Sequence, residues 1–459
     1  MASGSDERYL TTAEVARRLG VKPATVYAYA SRGMLRSTRR PGHRGSFFAQ
    51  DEIDEFLANG RDGRQPSGAV ERIRTELTLL DDDLLFYRGV SVGELALTAS
   101  FEAVAGLLWT GELDKNRVFP HYGGLVDTVR TALAALPAET GTIDAMRVAV
   151  AVLGAVDPLR FDLSTPAVVR VGQKLISVLA DALPGGPTGG IGMVGHNGTT
   201  DGNGRGAERG LTGGIGAAGG AAMVGEAGVI GSGAAGGESD GGEGDRRGGG
   251  HGGDGLALVT QRLAGKLGGR PVDIGLLNIA LVLLADHDLA ASTVAARVAA
   301  SARAHPYAVV SAGLGAVDGR YHGVQSTLAY RFLAEAMDNP LRAVAERQRA
   351  GGIPGFGHKI YREHDPRADV LLGLMRAHPD AAKVMPTVDM VIVAADSFPN
   401  VDLALAALMH VYGLRPDAGE TIFALARTAG WLAHAIEEYR EPGLRFRPLG
   451  VYTGDRPER

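Results

Sequence analysis

Thirteen consecutive residues carry the densest chemistry in the chain: Gly355-Phe356-Gly357-His358-Lys359-Ile360-Tyr361-Arg362-Glu363-His364-Asp365-Pro366-Arg367. The two glycines let backbone approach a ligand closely, and Pro366 stiffens the turn that aims Arg367. A histidine that can give a proton, beside an arginine fork that grips anions, suits reaction at a carbonyl flanked by a carboxylate. A surface histidine with a solvated arginine would explain a bare Gly-x-Gly-His, but the whole run points to a site.

Helices must position these groups. Of the 459 residues, 45% are hydrophobic and 22% charged, as in a globular protein with a sizeable core, and the length suggests two or three domains. Leu175, Val178, Leu179 and Leu183 share one helical face that Pro184 ends, 326–337 repeats the pattern before Pro340, and 421–439 is long and amphipathic. Strand-like alternation is scarce, so a mainly α architecture is expected. Between these helical regions, residues 184–255 hold 31 glycines in 72 positions. Disorder is expected there, with no role for His196 or His251.

Absences narrow the chemistry. The chain has no cysteine, which excludes disulfides, thiolate nucleophiles and cysteine-ligated metals. A net charge of −5 gives no global case for nucleic acid. No signal peptide is read in MASGSDERYL, and the apolar run 274–285 is too short to span a bilayer, so a cytoplasmic protein with no membrane contact is expected.

The first 64 residues differ, with 11 Lys and Arg against 8 Asp and Glu. Thr12 is expected to cap a short helix ended by Gly20, and Pro23 to start a second one tight turn later. Val15, Leu19, Val21 and Val26 would form their shared core. The stretch 9–57 resembles excisionase and MerR-like helix-turn-helix modules. That resemblance puts Lys22, Thr25, Tyr27 and Tyr29 on or beside a recognition helix, and Arg36, Arg39, Arg40 and Arg44 in a basic wing near phosphates. Two uses stay open: DNA binding, and packing or dimerisation.

The thirteen-residue run closely resembles the signature of citrate synthases. Five further segments match that family in its order: Phe86-Tyr87-Arg88-Gly89 leading to Ser100-Phe101-Glu102 and Gly111-Glu112-Leu113; a helix beginning Asp286-His287-Asp288-Leu289; His322-Gly323; Pro399-Asn400-Val401-Asp402; and Ala426-Arg427 with Arg447-Pro448. The resemblance implies a mainly α, citrate synthase-like two-domain fold preceded by a small winged helix-turn-helix domain. Its parts would be the module 1–64, the large domain in 65–183, 256–323 and 414–459, the glycine-rich insertion 184–255, and a small domain 324–413.

By the same resemblance Asp402 is a carboxylate base, His322 a thioester-side donor and His358 the donor to the ketone of oxaloacetate. His287, Arg367, Arg427 and Arg447 would bind substrate, and Arg362 would lie near the phosphates of coenzyme A. No metal or cofactor is implied, because acyl-CoA is itself a substrate. A homodimer is implied, with Arg447 reaching the partner's site. The expected reaction condenses acetyl-CoA or propionyl-CoA with oxaloacetate. A DNA-binding regulator with a synthase-like sensing body is the alternative from another class, and a synthase for a different 2-oxo acid is a third reading. Two departures, His322-Gly323-Val324-Gln325 and His287-Asp288-Leu289-Ala290, flank the expected acyl-CoA contacts.

Overall fold

The computed structural model describes residues 9–19, 21–31, 73–185, 258–319 and 322–446, with positions 35, 37, 38, 45–50, 53 and 454. The glycine-rich tract 184–255, for which disorder is expected, lies outside the described residues from 186 on, as do Arg447 and the wing arginines Arg36, Arg39, Arg40 and Arg44.

The N-terminal module comprises β1 (Tyr9–Thr11), α1 (Thr12–Leu19), α2 (Pro23–Ser31) and β2 (Phe47–Ala49). β1 and β2 pair antiparallel, and Thr38 bridges to Phe47. Val15, Val26, Leu35, Phe48 and Ile53 form its core, with Leu19, Val21 and Tyr29 packed on the edge. Pro23 opens α2 as expected, but the cap of α1 is one residue earlier than expected. Thr11 Oγ1 accepts from the Glu14 N–H at 3.4 Å while the Glu14 carboxylate takes the Thr11 N–H at 2.7 Å, a capping box. Thr12 is buried, and its hydroxyl donates to the Ser46 carbonyl at 3.4 Å.

Three short strands then form an antiparallel sheet: β3 (Thr78–Asp81), β4 (Leu84–Tyr87) and β5 (Val90–Ser91). Asp81 faces Leu84, leaving a two-residue loop in which Asp82 and Asp83 both have positive φ, 44° and 60°. That is the turn pattern matched to the twist of a hairpin.

The rest of the body is helical. α3 (Val92–Thr98), α4 (Phe101–Thr110), α5 (Gly123–Leu133), α6 (Thr142–Val156) and α7 (Thr165–Ala182) precede the glycine tract. After it come α8 (Val259–Ala264), α9 (Ile274–Leu284), α10 (Ala291–Ser301), α11 (Pro306–Val317) and α12 (Gln325–Asp338). α13 (Pro340–Arg349), α14 (Pro366–Ala377), α15 (Met385–Ala394), α16 (Val401–Tyr412) and α17 (Ala418–Arg440) complete it. The two ends of the tract are fastened to the body: Arg262 on α8 pairs with Asp181 on α7 at 2.9 Å, and the Glu102 carboxylate accepts the Val259 N–H at 2.7 Å. No helix among the described residues is long and apolar enough to cross a membrane.

α9 is apolar all round and α17 is rich in alanine, so both can be enclosed on every side. They lie within one core cluster that runs from Leu77 to Ile436. Gly430 lets the α17 backbone approach the chain after α9: its N–H donates to the Ala285 carbonyl at 3.0 Å, and a Cβ would collide with Asp286. The stretch beginning at Asp286, expected as a helix, is a turn through residue 290, with Asp288 at φ 50°. Consecutive polar residues break the apolar run of α9, and aspartate tolerates the left-handed region better than most.

Candidate active site

The turn after α9 presents His287, and local contacts fix it firmly. Thr78 donates to the Asp286 carboxylate, and Tyr87 Oη accepts the Asp286 N–H at 3.0 Å while lying 2.8 Å from its carbonyl. On the far side, Arg297 Nε donates to His434 Nδ1 at 2.9 Å, so the His434 proton sits on Nε2, 3.3 Å from Asp286 Oδ2. Burial opposes ionisation of Asp286, but His434, Arg427 and the Thr78 hydroxyl together hold its carboxyl below the ordinary range.

His358 reaches the same place from a loop pinned at both ends. Gly357 N–H donates to the Phe398 carbonyl, Asn400 N–H to Gly355, and Asn400 Nδ2 to Gly357, all within 2.9 Å. Gly355 has φ 87°, and a Cβ there would press to 2.9 Å on Leu403. This pairing draws the loop against the start of α16, where Asn400 caps the helix and Asp402 occupies the first turn. His358 Nδ1 accepts the N–H groups of Ile360 and Tyr361 at 3.1 and 3.4 Å, which leaves its proton on Nε2.

The rings of His287 and His358 stand edge to face, centroids 5.2 Å apart, and Tyr361 packs against both. Tyr361 Oη lies 2.9 Å from His287 Nε2. His322 comes from the segment after α11, with Nε2 held by the buried Ser292 hydroxyl at 2.8 Å. Burial first, and the nearby arginines second, keep all three histidines neutral: His322 and His358 fall to about 4, and His287 goes well below its ordinary value. Asp402 moves the other way. Burial raises its carboxyl to about 6 against the pull of Arg367.

The two described arginines of the expected anion clamp differ in availability. Arg427 is buried, donates Nε to the Leu284 carbonyl at 2.8 Å, and keeps an Nη2 with no partner. Arg367 spends Nε and Nη2 on Asp365, at 2.9 and 2.8 Å, and Asp365 also accepts the Val401 N–H. Its fork is therefore committed to positioning the start of α16, and Nη1 is the part left to face a ligand. Arg362 stands apart, on the rim of a cavity of about 490 Å³ that Asp81, Asp82, Asp83 and Glu363 also line. That is an acidic setting for a phosphate. Among the described residues no group of three metal-ligating side chains comes together.

Sequence reasoning assigns no role to Tyr361, Ser292, Asp365 or Asp83. Tyr361 and Asp365 lie inside the thirteen-residue run, beside His358 and Arg367, and that adjacency is the available signal; Ser292 serves His322 from 30 residues away, which no local pattern reveals.

Neutral histidines, a carboxylate of raised basicity and buried guanidinium nitrogens are groups that could serve enolisation and addition between carbonyl compounds. The family model "Citrate synthase, C-terminal domain" matches residues 68–182 and 258–449, and the chain belongs to the citrate synthase family. A second model, "Helix-turn-helix domain", matches residues 9–61. Citrate synthase of Haloferax volcanii is 34% identical over 39% of this chain and 50% of its own. Citrate synthase 2 of Bacillus subtilis is 34% identical over 40% and 52%. The chain thus spans about half the length of these curated relatives. A longer match, 27% identical over 81% of this chain and 89% of the relative, is 2-methylcitrate synthase 2 of Corynebacterium glutamicum.

Solved structures share the fold. Citrate synthase from Pyrobaculum aerophilum aligns with TM-score 0.59 at 19% identity, over 92% of this chain and 96% of that one. Citrate synthase from Thermoplasma acidophilum, in ternary complex with carboxymethyl coenzyme A and oxaloacetate, aligns with TM-score 0.57 at 21% identity, over 85% and 96%.

Proposed function

We propose that the protein condenses acetyl-CoA or propionyl-CoA with oxaloacetate, giving citrate or 2-methylcitrate and free CoA. The observation that carries this reading is a junction: the loop that bears His358, edge to face with His287 at 5.2 Å, is bonded to the start of α16, where Asp402 lies buried with its carboxyl raised to about 6. Asp402 takes a proton from the carbon next to the thioester carbonyl, while His322, whose Nε2 is engaged by Ser292, offers Nδ1–H to the thioester oxygen. The resulting enol forms the new carbon–carbon bond to the ketone carbon, and His358 Nε2–H stabilises and protonates the ketone oxygen. Water then cleaves the thioester, and the sulfur leaves as the CoA thiol. His287, Arg427 and the free edge of Arg367 hold the carboxylates of oxaloacetate. Arg362 serves the CoA phosphates. No cofactor enters, because CoA arrives as part of a substrate.

Residues 324–413 act as the smaller domain of this reading and close over the substrate, which keeps water from the thioester until bond formation is complete. The working particle is a cytoplasmic homodimer in which Arg447 completes the neighbouring site, and residues 9–57 bind DNA. The helix-turn-helix match favours one alternative, a DNA-binding regulator whose synthase-like body senses acyl-CoA or a tricarboxylate.

The decisive assay is thiol release from oxaloacetate with acetyl-CoA and, in parallel, with propionyl-CoA. The chain has no cysteine, so it adds nothing to a thiol reagent. Release that needs both substrates is expected, and the ratio of rates separates citrate from methylcitrate synthesis. Tight binding of either ligand without release would overturn the synthase in favour of the regulator.

A further inference from the structure

We infer that Asp83, at the tip of the β3–β4 hairpin, is a positioning residue that clamps the loop carrying His358; its catalytic consequence rests on the reaction proposed above. Four consecutive backbone N–H groups of that loop are taken up by two side chains. Ile360 and Tyr361 donate to His358 Nδ1 at 3.1 and 3.4 Å, and Arg362 and Glu363 donate to Asp83 Oδ1 and Oδ2 at 2.8 and 2.7 Å. The first pair fixes which nitrogen of His358 carries the proton. The second pair fixes the backbone that supplies the first, from a point 279 residues away in sequence.

The turn chemistry supports this independently. Asp83 has φ 60° at the second position of a two-residue hairpin loop, where glycine would sit without strain. Aspartate also tolerates this region, and here it supplies a carboxylate that a glycine would not. Its carboxylate is also held below the ordinary range, first by the Glu363 N–H and also by that of Arg362, so it stays ionised at neutral pH. The same hairpin supplies Thr78 and Tyr87 to Asp286. One small element therefore registers both histidine-bearing segments, His287 through Asp286 and His358 through residues 362 and 363.

The test separates the clamp from the fold. Asp83→Gly keeps the left-handed turn but removes the clamp, so the chain should still fold, with a melting temperature within a few degrees of the parent's. In hydrogen–deuterium exchange of the full chain, the peptide covering 358–365 should exchange about tenfold faster, with the rest unchanged. Turnover should fall about tenfold, in kcat more than in KM for CoA thioester, as misplacement of a donor predicts. Asp83→Asn keeps one acceptor oxygen and should fall between parent and glycine variant in both readouts. An unchanged exchange rate in the glycine variant, or parent-level kcat with a loosened loop, would overturn the inference. The exchange arm reads the clamp without substrate, so failure of the proposed reaction and failure of the clamp remain distinguishable.

Discussion

Asp402 is pulled in two directions. The first turn of α16 favours a negative charge, as helix N-termini do, yet burial prevails and lifts its carboxyl to about 6. A base of that strength is ionised at neutral pH and stronger than an ordinary carboxylate, which suits removal of a weakly acidic proton. His322 and His358 lie near 4 and stay neutral through this range, so Asp402 alone governs the acid limb. A plot of kcat/KM should fall tenfold per unit of pH below about 6. Asp402→Asn should lower kcat by about 10²- to 10⁴-fold, while oxaloacetate still binds in calorimetry. Stability should move the opposite way. A carboxyl raised from 3.8 in the folded state stabilises the fold below that value and loses the contribution as pH rises through 6. At pH 7.5 the neutral amide escapes the cost of the buried charge, so the variant should melt at a higher temperature than the parent. Retained turnover would place the base elsewhere.

Between elements, the junction of α10 with α17 carries the most concentrated buried charge near the site. Arg297 is fully buried and donates to His434 at 2.9 Å, to Glu438 at 3.0 Å and to Glu437, while Arg445 braces Glu438 with two bonds of 2.7 Å. Through His434 the same network ends on Asp286, beside His287. Arg297→Met would leave His434 without the donor to its Nδ1 and Glu438 buried with Arg445 as its remaining cation, and should cost about 3–5 kcal/mol in urea unfolding. A cost below about 1 kcal/mol, the scale of an exposed pair, would show that Arg445 suffices alone. None of this long-range pairing could be read from sequence, because Arg297 and Glu438 are 141 residues apart. Helices were legible where the signal is local: the apolar run at 274–285 is α9, and the amphipathic stretch at 421–439 lies within α17. The β3–β4 hairpin was missed because its strands are four residues long and its turn is Asp-Asp, without the usual glycine. Within the site, it is the resemblance to the citrate synthase signature that pointed to His287, His322, His358 and Asp402. The capture of the Arg367 fork by Asp365 depends on how the cap of α14 folds back, which spacing alone does not reveal.

For the whole molecule, the question is how a module with a positive balance relates to a body that carries more than the net charge of −5. Residues 9–61 match a helix-turn-helix model, and the synthase match begins only at residue 68. The two parts have distinct apolar clusters, one centred on Val15, Val26 and Phe48 and the other running from Leu77 to Ile436. Each therefore buries its own hydrophobic surface, the usual mark of separately stable units. Every described side chain assigned to the proposed reaction lies in the second cluster's part of the chain. Deleting residues 1–64 should leave kcat and both KM values unchanged, together with the dimer in light scattering. DNA binding should vanish in the same variant. If the chain dimerises and binds DNA as proposed, that binding should weaken steeply as salt rises, because two basic modules in one particle would release counterions together. A deletion that collapsed turnover or dissociated the proposed dimer would instead make the module part of the enzyme's architecture.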